Sequence, residues 1–274
     1  MPQRHDSKID TIWVSLDGAG QGSFDSIREG ASFGGVVQNL KALKALNEDS
    51  AEHRIELGIA FVAMKRNVDD LRSLSALARS VGARMISVSN VLPYSREMWE
   101  QMLCSMILPD NRLLYGHDAL SVNVPLLDLN QSTKEPLYSL LRSGSAISLT
   151  SNRIGAETDT CKFVRDGCTF VRWDGAVSPC AGLLHSHVTY STPSPSGRRV
   201  RPYILGNTAL ETLSDIWESD EYRGFRAKVD AFDFSPCYAC GGCQYSETNE
   251  EDCFGNTFPT CGGCLWAQGV IQCP

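Results

Sequence analysis

IELGIAFVAMKRNVDDLRSLSALARSVGARMISV, residues 55–88, sets two apolar runs on either side of an amphipathic one. Ile55–Met64 is apolar almost throughout, Glu56 aside, as a strand buried on two faces requires. Asn67 is predicted to cap a helix, with Asp69 and Asp70 in the first turn, where carboxylates suit the positive end of the helix dipole. Leu71, Leu74, Ala78 and Val81 fall on one helical stripe. Gly82 ends the helix, and Arg84–Val88 reads as the next strand, running into Asn90-Val91-Leu92-Pro93-Tyr94. Strand, helix and strand at this spacing form a βαβ unit of a parallel sheet, so the class is α/β.

The same pattern lies upstream. Thr11–Leu16 is a short apolar strand broken by Asp17-Gly18-Ala19-Gly20. A helix follows on Val36, Leu40 and Leu43, its stripe widened by Val37 and Leu46. In barrels built of such units, chemistry sits at the C-terminal ends of the strands. Here those ends are Ser15-Leu16-Asp17-Gly18, Lys65-Arg66-Asn67 and Asn90-Val91-Leu92-Pro93, and plain turn and cap roles explain the same residues. Three strands are too few for a closed barrel, so the missing strands are expected from another chain or from sequence in front of this one. Downstream, Val122–Leu127 reads as a strand that Pro125 confines to an edge, and Pro136–Leu141 as a short helix. The polar stretch Ser143–Ser151 marks the expected boundary between domains at 1–152 and 153–274.

Composition narrows the function. The chain of 274 residues is 42% apolar and 21% charged, which argues for a folded core and against disorder. Its formal net charge of −7, with Arg198, Arg199 and Arg201 as the densest basic spot, disfavours nucleic acid as a partner. No apolar stretch is long enough to span a membrane, and the polar N-terminal residues lack a secretory h-region, so a cytoplasmic location is expected.

The second half carries the chemistry. Of the 11 cysteines only Cys104 precedes Cys161, and it reads as a small buried hydrophobe. The others are Cys161, Cys168, Cys180, Cys237, Cys240, Cys243, Cys253, Cys261, Cys264 and Cys273. In a reducing compartment, and at an odd count, metal ligation explains them better than disulfides. Thr169–Pro179 looks like a hairpin turning at Asp174-Gly175, which would bring Cys168 and Cys180 to one centre. Thr208 and Glu211 are predicted to form a capping box for a helix through Leu213, Ile216 and Trp217. That helix separates two groups of thiols and favours two centres. Cys237-x2-Cys240 and Cys261-x2-Cys264 approach a zinc-ribbon pattern but leave six thiols idle. Two four-thiolate iron–sulfur clusters use eight, and glycines at 241–242 and 262–263 suit backbone N–H groups aimed at sulfur. Spacing alone leaves both metals open.

These residues resemble a known family. Gly175-x4-Cys180, Leu205-Gly206-Asn207 with its following helix, and the cysteine-rich tail resemble the SPASM domain of radical S-adenosylmethionine (SAM) enzymes. Ser15-Leu16-Asp17-Gly18, Ser32-Phe33 and the Val36–Leu46 helix resemble the fourth β/α unit of the radical SAM barrel. The stretch Glu250–Asn256, with Pro259–Ala267 and Gln272-Cys273-Pro274, is similar to the SPASM maturases associated with tungsten-dependent oxidoreductases. The resemblance implies an incomplete radical SAM-type β/α barrel, its last three β/α units, followed by a small cysteine-rich α+β SPASM domain.

It also implies two auxiliary [4Fe-4S] clusters, one on Cys161, Cys168, Cys180 and Cys264, the other on Cys237, Cys240, Cys261 and Cys273. Cys243 and Cys253 are alternates for one of these places. Ser15 and Asp17 would face SAM, and Leu92 or Val91 would border its adenine. Arg28, Asp174, His185 and His187 are further polar residues for such a site, with surface or hairpin roles as the ordinary reading. The family's C-x3-C-x2-C motif, which holds the SAM-cleaving cluster, does not occur in the chain. SAM and the core cluster are therefore expected only in a full-length form, and this chain is expected to be N-terminally truncated and catalytically incomplete. A peptide or protein substrate and a redox donor protein are the implied partners. The alternatives are a non-catalytic iron–sulfur electron-transfer or scaffold protein and a zinc-stabilised binding module.

Overall fold

A computed structural model describes residues 9–49, 54–103, 121–124, 130–141, 146–149, 160–191, 194–235, 237 and 243–271. They fall into two compact units, 9–90 with 121–149 and 91–103 with 160–271.

The first unit is a layer of helices on a parallel sheet. Strand β1 (Thr11–Ser15) leads through α1 (Gln21–Ile27) and α2 (Phe33–Asp49) to β2 (Glu56–Ala63). A 3-10 turn at Val68–Asp70 runs into α3 (Leu71–Val81), and β3 (Met85–Asn90) follows. Strand order is sequential and every pairing is parallel, with Trp13 opposite Gly58 and Gly58 opposite Met85. A side chain at Gly58 would run into the Trp13 ring, which is why a glycine sits inside an otherwise apolar strand. Leu71, Leu74, Ala78 and Val81 of α3 are fully buried, as are Ile59 of β2 and Val88 of β3. Each of the leucine, isoleucine and valine side chains among them contributes about 1.5–3 kcal/mol. Gly82 closes α3 in the left-handed region at φ 80° and sends its N–H back to Arg79.

In the second unit, α4 (Arg96–Glu100) follows the segment after β3. The first unit then resumes with β4 (Ser121–Val124), α5 (Lys134–Leu141) and β5 (Ala146–Leu149), which complete a five-stranded open sheet in the order β1-β2-β3-β4-β5.

Several expectations need correction here. The described sheet has five parallel strands, not three. β4 pairs on both sides, with β3 and with β5, and is not an edge. The described strand stops at Val124, ahead of Pro125, so the proline removes no ladder bond within it. The polar stretch at 143–151 contains β5, whose register Val122↔Ile147 and Val124↔Leu149 sets its apolar residues beside those of β4. Asn67 is no N-cap. Its side chain accepts from Met64 N–H (2.7 Å) and donates to the Asp17 and Val62 carbonyls (both 2.9 Å). Leu46 does not widen the α2 stripe but is 68% exposed.

The rest of the second unit is built of short pieces: α6 (Lys162–Arg165), β6 (Phe170–Val171), β7 (Ala176–Ser178), β8 (His187–Ser191), β9 (Ser194–Val200), β10 (Gly206–Asn207), α7 (Leu213–Glu218) and α8 (Asp220–Ala231). β6 and β7 form the expected hairpin, and Gly175 takes φ 84° in its turn. The helix cap is Thr212, whose Oγ1 accepts from Asp215 N–H at 3.2 Å. Thr208 instead ties the chain to the hairpin turn, its N–H donating to the Gly175 carbonyl. The apolar core is Val177, Leu183, Leu205, Ile216, Tyr222, Phe225, Val229, Phe232, Phe234 and Ala267. Cys161, Cys180, Cys261 and Cys264 pack against it.

No helix of the described residues is long and apolar enough to cross a membrane. Cys104, Cys240 and Cys273 lie outside the described residues, as do Pro125 and the glycines at 241–242.

Candidate functional site: a ring of thiols

Local backbone geometry prepares the sulfurs. Cys161 stands at the N-terminus of α6, and Cys180 just before the 3-10 turn Ala181–Leu183. Cys264 opens a further tight turn. In each case the N–H groups two and three residues on turn towards the sulfur: Phe163 and Val164 to Cys161, Gly182 and Leu183 to Cys180, Trp266 and Ala267 to Cys264. These contacts favour the thiolate, although at Cys161 and Cys180 no closed cap hydrogen bond forms. N–H groups aimed at sulfur are what metal-bound thiolates accept.

Four thiols share one environment. Cys161, Cys180, Cys261 and Cys264 lie within electrostatic reach of one another. Burial pushes the Cys161 thiol up to about 11, with Cys264 adding to the rise. Burial, then neighbouring sulfurs, likewise raises Cys180 and Cys261, and burial raises Cys264. Four adjacent thiols in a dry site cannot all ionise alone, whereas a bound metal centre compensates all of them.

Cys180, Cys261 and Cys264 border a cavity of about 60 Å³ with Gly182, His187, Arg198 and Trp266. The indole Nε1–H of Trp266 is buried and meets no acceptor among the described residues. Such an orphaned donor fits a sulfur-rich guest. Among the described residues, no three His, Cys, Asp or Glu side chains stand in single-ion coordination geometry. Cys180, Cys261 and Cys264 instead line a shared space, which suits a multi-atom cluster better than one zinc with Zn–S near 2.3 Å.

The double glycine of Cys261-Gly262-Gly263-Cys264 has a steric cause. A side chain at Gly262 would run into the Ser235 carbonyl, and one at Gly263 would come within 2.5 Å of Arg198 Nη1. The Cys264 N–H donates to the Cys261 carbonyl at 2.9 Å, so the two thiols flank a single turn. Ser235 leads to Cys237, whose Sγ is 3.0 Å from Ser235 Oγ. Asp252 fixes this segment by accepting from the N–H groups of Ser235, Phe254 and Asn256, each at 3.0 Å. Burial opposes its charge, yet these donors hold its carboxyl below the usual carboxylate value.

The structure sorts the predicted residues. It gathers Cys161, Cys180, Cys261 and Cys264, although 80 residues of sequence with α7 and α8 intervene between the second and third. Cys168 sits nearby, its N–H on the Phe163 carbonyl (2.7 Å) and its carbonyl 3.5 Å from Tyr222 Oη. Cys243 and Cys253 are exposed. His187 lies edge-on to Tyr94, ring centres 5.0 Å apart, and borders the cavity, while His185 is exposed. Asp174 pairs with Arg172 in the hairpin, which draws its carboxyl down to about 2.

In the first unit Asp17 is buried, accepting from Val62 N–H (3.0 Å) and Arg28 Nε (2.8 Å). Arg28 Nη2 also reaches Ser15 Oγ at 2.6 Å. Asp17 Oδ1 thus ties the end of β1 to β2, and Oδ2 holds Arg28 at the end of α1. In the second unit, Val91 is buried and Leu92 half-buried, and the Leu92 carbonyl accepts from Tyr94 N–H. Two residues escaped the sequence reading, Arg198 and Asp252. For Asp252 the signal was an Asp followed four residues later by Asn in a Gly-containing turn. For Arg198 there was none beyond its charge.

Residues 161–244 match the SPASM family, an iron-sulfur cluster-binding domain. The SPASM match covers Cys161 to Cys243, while Cys261 and Cys264 of the thiol ring lie beyond it. The chain is also 28% identical over 244 residues to the tungsten-containing aldehyde ferredoxin oxidoreductase cofactor-modifying protein of Pyrococcus furiosus. That alignment takes in 88% of this chain and 62% of the relative's length.

Proposed function

We propose that the chain is part of a radical SAM/SPASM maturase and that its second unit holds two auxiliary [4Fe-4S] clusters. The observation that carries this reading is the gathering of Cys161, Cys180, Cys261 and Cys264, the last three lining one cavity, with N–H groups turned to the sulfurs of Cys161, Cys180 and Cys264. Cys161, Cys168, Cys180 and Cys264 would hold one cluster, and Cys237, Cys240, Cys261 and Cys273 the other, with Cys243 and Cys253 as alternates. When bound, such centres supply one-electron transfer. The protein's part is to anchor the sulfurs, keep water out with the Phe163–Trp266 wall, and aim backbone dipoles at the thiolates.

The five parallel strands are then read as part of a radical SAM barrel. Ser15 and Asp17 are the proposed SAM-facing residues and Leu92 the one proposed to border its adenine, as the resemblance implies, and Asp17 also ties the end of β1 to β2. The relative modifies a cofactor of a tungsten-containing oxidoreductase, so a protein or its cofactor is the proposed substrate class, with a redox donor protein as electron source. A reducing, cytoplasmic compartment suits the thiolates. No SAM cleavage is assigned to these 274 residues by themselves, since C-x3-C-x2-C is not among them.

Anaerobic purification with iron, sulfide and zinc quantitation tests the reading. About eight irons per chain with equal sulfide are expected, four for each cluster. Colourless, stoichiometrically zinc-loaded protein would replace it with a zinc-stabilised module. SAM cleavage by the isolated chain would overturn the assignment of no catalysis to it.

A further inference from the structure

Arg198 is a buried cation among sulfurs. It sits on β9 with 7% of its surface exposed. Its Nη1 donates to the Ser246 carbonyl (3.2 Å) and its Nη2 to Thr260 Oγ1 (3.4 Å). The guanidinium lies against the Cα of Gly263, and that residue's lack of a side chain is what admits it. It borders the thiol cavity and is within electrostatic reach of Cys237, Cys261 and Cys264. None of the ion pairs among the described residues includes it. Arg201, three residues on, makes the contrast. It is exposed and pairs with Glu250 at 2.9 Å.

A guanidinium taken out of water without a carboxylate is costly unless another anion compensates it. The anions within its reach here are sulfurs, and both proposed ligand sets are represented among them, Cys237 and Cys261 of one and Cys264 of the other. We propose that Arg198 is the built-in counter-cation of the sulfur centres, raising the potential at which they accept an electron. This rests on the iron–sulfur reading above. Reduction adds one negative charge to a centre and leaves Arg198 chemically unchanged. A fixed positive charge beside it therefore favours the reduced state. Arg is suited to the task because it cannot be deprotonated and its fork reaches several acceptors at once.

The test is an EPR-monitored potentiometric titration of the anaerobically purified full chain and of Arg198→Gln and Arg198→Lys, with iron and sulfide counted in each. Arg198→Gln is expected to keep its iron while the one-electron equilibrium shifts at least tenfold towards the oxidised form. That shift equals a fall of about 59 mV. Arg198→Lys, which keeps the charge, is expected to stay within tenfold of wild type. An iron-loaded Arg198→Gln with an unchanged potential would overturn the inference and leave the cluster reading intact. Wild-type protein without iron would overturn the cluster reading and this inference with it. If Arg198→Gln loses its iron, Arg198→Lys decides. Iron retained with a near-wild-type potential supports the counter-charge role, while loss of iron there too, or an equal fall in potential, makes Arg198 a structural residue.

Discussion

The parallel sheet and the thiol unit solve the problem of burial in opposite ways. In the sheet, long runs such as Glu56–Ala63 and the α3 stripe bury apolar side chains in register, and β2, β3 and β4 are paired on both sides in one ladder. In the thiol unit the strands have two to seven residues, and the chain is held by single ties between distant segments. Asp252 binds Ser235, Asn249 binds both backbone groups of Arg201, and Gly263 seats Arg198. Regular structure holds the first unit together. The second packs a group of thiols against its core, and their charged forms would be compensated by a bound metal centre.

Metal removal should separate the two units most strongly. Stripping iron from the anaerobic protein is expected to abolish hydrogen-exchange protection through Lys162–Arg165 and Ala181–Leu183 while leaving β1–β3 protected, because metal-binding free energy in small thiolate domains is folding free energy. Equal loss in both units would erase the contrast. Cys264→Ser is expected to lose about half of the bound iron, one cluster of two. Full retention would remove Cys264 from the ligand set.

The mirror experiment acts on the sheet. Leu74→Ala should destabilise the first unit by about 2–5 kcal/mol, the cost of a cavity under α3, with iron content unchanged. Iron loss in that variant would show that the units do not hold independently.

Asp252→Asn gives the smallest effect. The expected cost is about 1–3 kcal/mol from leaving buried N–H groups poorly satisfied, read as a lower denaturation midpoint for the iron-loaded protein. The pH dependence has a definite sign. The folded carboxyl lies below its usual value of 3.8, so its stabilisation is present above that value. It is lost as pH falls through the folded value. Wild type should therefore lose more stability than Asp252→Asn on acidification below about pH 4. Parallel acid curves would sink the assignment.

How much was legible depended on where the signal lay. α3 was readable because Leu71, Leu74, Ala78 and Val81 repeat at the helical period and Gly82 stops them. The β6–β7 hairpin was readable from Asp174-Gly175. β4 and β5 were misread or missed because four-residue strands show little periodicity, and Pro125 and the serines of 143–151 argued against them. Asn67 and Thr208 looked like caps because cap chemistry and loop-tying chemistry use the same side chains. The choice between them depends on which carbonyl comes near, and only folding brings it there.

From its residues alone this chain declares an α/β front, a thiol-rich back and soft-metal chemistry, because hydrophobic period and C-x-x-C spacing are local properties. Which thiols meet was decided by the tertiary structure. Cys161 and Cys180 reach Cys261 and Cys264 only after α7 and α8 have packed on the Val177–Phe225 core. The placement of Arg198 is of the same kind. A guanidinium reads as a surface charge in any sequence, and only the fold buried this one, with sulfur as its counter-charge.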